Sequence, residues 1–399
     1  MLVAGEASGD KHGAALAFAL RNASTGREVE LFGAGGKEMR AAGVDTVVDS
    51  LKLGIIGIPE IARALPRFYT AYRRLVRAAQ ARRADAVVLI DWPDFNLRLA
   101  RRLNREGFKV VYYISPQVWA WRKYRVRAIR RSVRRMLVIL PFEEEFYRRE
   151  GVAVEYVGHP LSGAVRVTRS REEFACVHGL DARRPIIALL PGSRQKELHY
   201  HLPVMAEAAA RLAEAAIDWE ATGSVDGSIE NPAGRRIRAQ FVMPLASTVE
   251  RREVEAMLGP AVDVIKLIEQ DGYNALGHSV AAVVASGTAT VEAALLGVPM
   301  VIVYRGSELN WRLIRPLIKL DTFGMANLIA GKRIVPELIQ HEATPVRIVS
   351  ELVAILSDPR RLATIKENLA LVSARLGSAG TPPSELAARR VLEIAIGER

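Results

Sequence analysis

Twice along this 399-residue chain, short β-branched runs alternate with longer amphipathic stretches, and that alternation restricts the fold more than any other feature. The first series of expected strands is Leu2–Ala4, Val29–Phe32, Ala86–Ile90, Lys109–Ile114, Met136–Leu140 and Val154–Val157. The second is Pro185–Leu190, Phe241–Pro244, Val262–Leu267, Ala281–Ala285 and Pro299–Val303. Most end in glycine, proline or a polar residue, and helix-like segments separate most of them, the pattern of parallel sheets covered by helices. The fold class is therefore α/β, with two Rossmann-like doubly wound domains in succession. We expect residues 1–167 to form the first and 168–399 the second, the terminal helices being able to pack back on the first. The cleft between them is the default ligand site. The polar stretch Arg166–Arg184 reads as the connection, and residues 221–236, rich in turn formers, as a long loop. The first strand starts at residue 1 and is short against the usual ~5–6 residues, which points to a few apolar residues upstream of Met1.

Half the residues are hydrophobic and a quarter charged, a globular composition. The single cysteine, Cys176, excludes an internal disulfide and fits a reducing compartment. No basic head with an apolar run and cleavage site opens the chain, and no apolar stretch reaches the ~18–20 residues of a membrane span. We therefore expect a cytoplasmic protein.

The net charge of +12 suits nucleic acid, an anionic membrane or phosphorylated small molecules. Its distribution says more. Eight of the fourteen residues from Arg122 to Arg135 are Lys or Arg, and Val126, Ile129, Val133 and Met136 recur at helical spacing among them. Ile61, Leu65, Phe68, Tyr72 and Leu75 do the same among arginines upstream. These are either surface helices with solvated backs or a peripheral membrane surface, with Phe68, Tyr72, Arg125 and Arg127 as membrane-facing candidates. Nucleic acid is disfavoured, because no binding motif appears and aromatics are 6% of the chain.

Several loops carry chemistry. AGEASGDKHG follows the first strand, but its glycines match neither a dinucleotide fingerprint nor a P-loop, and it holds Glu6 and Asp10. In LIDWPDFN, Asp91 directly follows a strand and either braces the turn or serves as a general base, whereas Asp94 suits an N-cap. Ser115 and Gln117 leave the next strand, followed by Trp119 and Trp121, which are either core or ligand-facing. His159 reads as structural rather than catalytic, and His199 with His201 lacks a third metal ligand. In LPGSRQKE, Gly192, Ser193 and Arg194 form a turn that can hold a diphosphate through main-chain N–H groups and a permanent charge. Ser286, Gly287 and Thr288 form a second such turn, with Glu292 placed to accept from ribose hydroxyls. Two such turns in one domain point to a nucleoside diphosphate.

At these residues the chain resembles the lipid-A-disaccharide synthase family. VAGEASGD, IDWPDFN, YYISPQVWAWR, LPFEEEFY, VGHPL, LPGSR-x-x-E, ASGTATVEAAL, GMANLIAG and PELIQ occur in the family's order, from residue 2 to about Gln340. The resemblance implies the two-domain GT-B fold and an inverting transfer from UDP-2,3-diacylglucosamine to the 6-hydroxyl of diacylglucosamine 1-phosphate. By matching position it implies Asp91 as base, Arg194 as diphosphate partner, and Ser286, Gly287, Thr288 and Glu292 as the rest of the UDP site, with Asn327 nearby. It implies no metal and no cofactor. The opening loop then belongs to the acceptor side, with Glu6, Ser8, Gly9, Asp10, Ser115 and Gln117 as candidates. Gly57 falls where the family has a glutamate, and Glu60 is its possible replacement. The resemblance also favours peripheral association with the anionic inner membrane. Rival readings are another UDP-sugar enzyme, such as a UDP-N-acetylglucosamine 2-epimerase, and a non-catalytic basic module.

Overall fold

The computed structural model describes residues 1–24, 26, 28–50, 58–214, 217–218, 236–246, 248–315, 321–377 and 380–397. Gly57, the side chains of Ile61, Leu65, Glu60 and Trp121, and most of the 221–236 loop lie outside the described residues. The chain divides into two compact units, Met1–Pro160 with Leu376–Arg399, and Leu161–Arg375. The boundary expected at 167/168 thus falls at 160/161, and the last helix belongs to the first unit.

The first unit holds a parallel sheet of β1 (Leu2–Ala4), β2 (Phe32–Gly35), β3 (Asp45–Asp49), β4 (Val87–Ile90), β5 (Val110–Tyr113), β6 (Arg135–Val138) and β7 (Val154–Tyr156). Their spatial order is β3-β2-β1-β4-β5-β6-β7. Register pairs Ala4 with Ile90, so the loops after β1 and β4 leave the sheet side by side where the winding direction reverses. Its helices are α1 (Ala7–Ala23), α2 (Lys37–Ala41), α3 (Ile58–Ala81), α4 (Pro93–Arg105), α5 (Val118–Trp121), α6 (Val126–Ser132) and α7 (Pro141–Arg149).

The second unit repeats the plan. A small antiparallel pair, β9 (Ile217–Asp218) with β10 (Arg236–Ile237), stands apart from its main sheet. That sheet contains β8 (Ile186–Leu190), β11 (Gln240–Pro244), β12 (Ile265–Ile268), β13 (Ala281–Ala285), β14 (Met300–Tyr304) and β15 (Glu337–Ile339), in the order β12-β11-β8-β13-β14-β15. Val284 pairs with Leu190, which sets the turns after β8 and β13 side by side at the second reversal. Its helices are α8 (Arg171–His178), α9 (Gln195–Glu214), α10 (Arg251–Leu258), α11 (Gly272–Gly277), α12 (Ala289–Leu295), α13 (Glu308–Ile314), α14 (Met325–Ala330), α15 (Pro345–Leu356) and α16 (Pro359–Leu376). The local chemistry is visible in α8, which opens on a Ser170–Glu173 capping box and closes on left-handed Gly179.

The central strands are buried on both faces, which is why they read as apolar runs rather than alternating ones. One face of the first sheet packs Val87, Leu89, Tyr112 and Met136 against Leu75, Leu99 and Ile129. The other packs Leu2, Val88 and Val111 with Leu16 and Leu20, and with Ala388 and Val391 of α17 (Pro383–Ile396). Burying that apolar face of α17 is what assigns the chain end to the first unit. Met136, which sequence reading placed both on the basic helix face and at the start of the strand Met136–Leu140, lies in β6, because Val133 has extended backbone and ends α6.

Candidate functional site

The end of β4 carries the most unusual backbone of the first unit. Asp91 and Trp92 are consecutive non-glycine residues in the left-handed region, at φ 48° and 50°. Such residues cost of order 1 kcal/mol each and persist only where the surroundings hold them. Here Tyr112 Oη donates to the Asp91 carbonyl at 2.6 Å, and Asn96 Nδ2 donates to the same oxygen at 2.7 Å and to Ile90 O at 3.2 Å. Asn96 and Tyr112 are fully buried. Trp92 stacks on Phe95 at 4.1 Å and lies over Gly5, where an added Cβ would come within 2.1 Å of the indole. Gly5 is therefore fixed by the ring, and the loop after β1 and the turn after β4 are packed as one unit. Asp91 itself stays partly exposed.

The other candidates of this unit fall into two groups. Glu6 and Ser8 are exposed at the start of α1, and Gln117 is exposed after β5. Asp10, expected to accept from sugar hydroxyls, is buried and spends its carboxylate on main-chain N–H groups. Oδ1 accepts from Gly36 at 2.6 Å and Met39 at 3.2 Å, and Oδ2 from Glu38 at 2.9 Å. It caps α2, whose first N–H groups have no partner within the helix. Gly9 is buried, and a Cβ there would make only ordinary contact with Ala4 at 3.5 Å. Ser115 is also buried, donating to Pro116 O at 2.9 Å and meeting Tyr147 Oη at 2.7 Å. Asp94, expected as an N-cap, is exposed in the first turn of α4 and pairs with Arg122 and Arg125. His159 is buried, and desolvation lowers it to about 4, with His12 adding to the effect.

The membrane-facing candidates divide likewise. Phe68 packs on Trp92 and Phe95, and Tyr72 on Phe95, so both are half-buried under the Asp91 turn. Helical spacing had shown that they share a face, and the face is the inner one. Arg125 is tied to Asp94, while Arg127 is exposed. The outer faces of α3 and α4 instead present Arg67, Arg73, Arg74, Arg77, Arg98, Arg101, Arg102 and Arg105, with Tyr69 exposed among them. Among the described residues no helix is long and apolar enough to cross a membrane.

In the second unit, Gly192 has φ 119°, and a Cβ there would lie 2.4 Å from Glu197 Oε2. The Glu197 carboxylate holds the turn, accepting from Ser193 N at 2.8 Å and Arg194 N at 3.3 Å. Those N–H groups, expected to meet a diphosphate, are thus already engaged. What the turn offers is the Arg194 guanidinium, whose side chain is 72% exposed and touches Glu197 at 3.4 Å. Thr248 Oγ1 donates to Ser193 O at 2.6 Å. His201 Nδ1 donates to Pro191 O at 2.9 Å while Nε2 accepts from Arg305 N at 3.0 Å, bonds that only the neutral imidazole makes together. Burial lowers its pKa accordingly.

Beside it, Ser286 Oγ donates to Phe323 O at 3.0 Å, and Gly287 faces open space. Thr288 caps α12 without a side-chain bond. Glu292 lies one turn on, its pKa raised by burial, with the Tyr273 phenol 3.5 Å from Oε1. Asn327, expected near UDP, is fully buried and committed. Its Nδ2 donates to Glu337 Oε1 at 2.7 Å and Val335 O at 2.9 Å, and its Oδ1 accepts from Ile334 and Val335 N. Glu337 in turn holds Phe323 N and Gly324 N, both at 2.9 Å. Asn327 and Glu337 therefore brace the loop that receives Ser286. Among the described residues no three His, Cys, Asp or Glu side chains converge as metal ligands would.

Sequence reading gave no turn-holding role to the residues that hold these turns: Asn96, Tyr112, Glu197, His201, which was weighed only as a metal ligand, and Glu337. Asn96, Tyr112, Glu197 and Glu337 lay inside the recognised motifs IDWPDFN, YYISPQVWAWR, LPGSR-x-x-E and PELIQ, and the invisible part was which atom each one holds.

Solved structures share the arrangement. A UDP-GlcNAc 2-epimerase from Neisseria meningitidis bound to UDP-GlcNAc aligns with a TM-score of 0.60 at 13% identity, over 99% of this chain and 98% of that one. The calicheamicin glycosyltransferase CalG4 aligns with a TM-score of 0.58 at 15% identity, over 100% and 98%. These likenesses establish the fold, that of two-domain glycosyltransferases and epimerases. The lipid-A-disaccharide synthase of Koribacter versatilis is 44% identical over 398 residues, covering 99% of this chain and 98% of its own. That of Geobacter sulfurreducens is 41% identical over 395 residues, covering 99% and 96%. The family model described as lipid-A-disaccharide synthetase matches residues 1–231 and 234–380. With near-complete coverage by both family model and relatives, this chain belongs to the lipid-A-disaccharide synthase family of glycosyltransferases.

Proposed function

We propose that the enzyme condenses UDP-2,3-diacylglucosamine with 2,3-diacylglucosamine 1-phosphate, forming a β-1,6-linked disaccharide 1-phosphate and UDP. The observation that carries the residue assignment is Asp91, a partly exposed carboxylate on left-handed backbone at the first winding reversal. Asp91 takes the proton of the acceptor 6-hydroxyl as its oxygen attacks the anomeric carbon from the face opposite the diphosphate. The bond from that carbon to the diphosphate oxygen breaks, and its electron pair leaves with UDP. One displacement inverts the anomeric centre and needs no covalent enzyme intermediate.

The Arg194 guanidinium neutralises the departing diphosphate, a charge that is greatest in the transition state. Ser286, Gly287 and Thr288 line the nucleotide beside it, and Glu292 accepts from the ribose hydroxyls. Ser193 and Gly192 shape the turn, and Asn327 keeps its neighbouring loop in place. On the acceptor side Glu6, Ser8 and Gln117 meet the sugar, while Gly9, Asp10 and Ser115 hold the loops that present them. Exposed arginines on α3 and α4, with Tyr69 and Arg127, rest the enzyme on the anionic face of the inner membrane, where each nearby cation contributes ~1 kcal/mol.

The test is turnover of the two acylated sugars by the wild type and by Asp91→Asn. Asparagine tolerates left-handed backbone, so only the carboxylate is lost. The variant should keep its UDP affinity and lose kcat by about 100- to 10,000-fold. Full activity of Asp91→Asn overturns the base assignment. Consumption of unacylated UDP-N-acetylglucosamine without an acceptor would favour an epimerase instead. Flotation with anionic liposomes tests the membrane surface, and protein left wholly unbound would refute it.

A further inference from the structure

Helix α7, in the LPFEEEFY stretch, bears on no step assigned above, yet it grips the segment that leaves β5. Glu143 and Tyr147 stand one turn apart on one face of it, at 1% and 0% exposure. Glu143 Oε1 accepts from the Trp119 indole N–H at 3.0 Å and Oε2 from Leu140 N at 3.2 Å. The Tyr147 hydroxyl meets Ser115 Oγ at 2.7 Å and lies 3.5 Å from Pro116 O, which also accepts from Ser115. Phe142 adds an edge-on contact to Trp119 at 4.9 Å. The segment so held begins at Ile114, another left-handed residue at φ 65°, and carries exposed Gln117 between its two anchored ends.

We propose that Glu143 and Tyr147 are positioning residues for the acceptor, acting together through Ser115 and Trp119 to fix the segment that presents Gln117. This rests on the reading of that segment as acceptor-facing. Burying a carboxylate is unfavourable unless its hydrogen bonds are directional and satisfied, and among the described residues no cation stands with the groups facing Glu143. Those groups are the Trp119 indole, the Ser115 hydroxyl, the main chain at Ile139 and Leu140, and Tyr147 on its own helix. Of them only Tyr147 titrates, and burial pushes it up, out of range of neutral pH. Desolvation raises Glu143 to about 7, so its ionised form, which accepts best from two N–H groups, is in play near neutrality.

The experiment is steady-state kinetics on the full-length enzyme with both acylated substrates varied. Glu143→Gln and Tyr147→Phe are each expected to raise KM for the acceptor about tenfold, with kcat changed less than about threefold and donor KM unchanged. In the wild type, acceptor KM should rise as pH falls through about 7, and Glu143→Gln should flatten that profile. A lower melting temperature with acceptor KM and its pH profile unaltered, in both variants, would overturn the proposal. Gln117→Ala separates the two levels of the argument, since its side chain makes none of these anchoring bonds. If Gln117→Ala raises acceptor KM while Glu143→Gln and Tyr147→Phe do not, the positioning role alone fails. If none of the three changes it, the acceptor reading of the segment fails as well.

Discussion

The phenol of Tyr112 donates to the main-chain carbonyl of Asp91 at 2.6 Å, from the neighbouring strand and from full burial. Asn96 shares that carbonyl at 2.7 Å, so two side chains hold one strained peptide beneath the partly exposed Asp91. The residue proposed as base is thus held through its main chain.

Removing one of these donors should loosen the proposed base, Asp91, without altering its side chain. Tyr112→Phe keeps the buried ring and loses only the hydroxyl, so we expect a stability loss of about 1 kcal/mol. The turnover number should fall roughly tenfold while UDP affinity stays unchanged. Unaltered kcat, with stability lowered as stated, would show that Asn96 alone suffices.

Asp10 gives a contrasting prediction, because its carboxylate serves the fold. Asp10→Ala leaves the N–H groups of Gly36, Glu38 and Met39 without their acceptor. Stability in urea should fall by about 1–3 kcal/mol. Unchanged stability together with weakened acceptor binding would return Asp10 to the sugar site.

How far the sequence carries can be judged from such pairs. The two parallel sheets were legible because β4, β5, β8 and β13 are buried on both faces and read as unbroken apolar runs. Strand β3 was not, since it lies at the sheet edge, half exposed, with aspartates at both ends. Strand β15 was hidden by buried Glu337, which accepts from the main chain at Phe323 and Gly324 and from the Asn327 side chain. Strand β2 was placed three residues early, because the glycines of FGAG read as a turn. At the proposed site, residue types singled out Asp91 and Arg194 as candidates, but polarity did not distinguish an exposed acid such as Glu6 from a committed one such as Asp10. That difference depends on contacts 26 to 29 residues away.

Gly192 tests the donor turn. Its φ of 119° and the 2.4 Å approach of Glu197 leave no room for a Cβ. Gly192→Ala should displace Glu197 from the Ser193 and Arg194 N–H groups and shift the guanidinium. Calorimetric titration with UDP should show affinity about tenfold weaker, a cost of about 1.4 kcal/mol. Wild-type affinity in this variant would remove the turn from the nucleotide site.

The buried titrating groups give the fold a pH dependence whose direction follows from their shifts. Desolvation pushes Glu143 from the ordinary 4.5 of a carboxyl up to about 7 in the native state, outweighing the hydrogen bonds from Trp119 and Leu140. Between those values the native protein keeps a proton that the unfolded chain has lost, so unfolding becomes easier as pH rises through the window, and level above it. The full difference is about 3 kcal/mol. His12 and His159 act in the opposite sense. Burial lowers both from 6.5 to about 4, so the stability they contribute is present above 6.5 and lost as pH falls towards 4. Glu143→Gln removes the first dependence and keeps the second. Subtracting urea-unfolding free energies of wild type from those of the variant should therefore give a difference that grows by about 3 kcal/mol from about pH 4 to about pH 8. A difference constant across that range would mean that Glu143 titrates as an ordinary carboxyl and that its burial is relieved in solution.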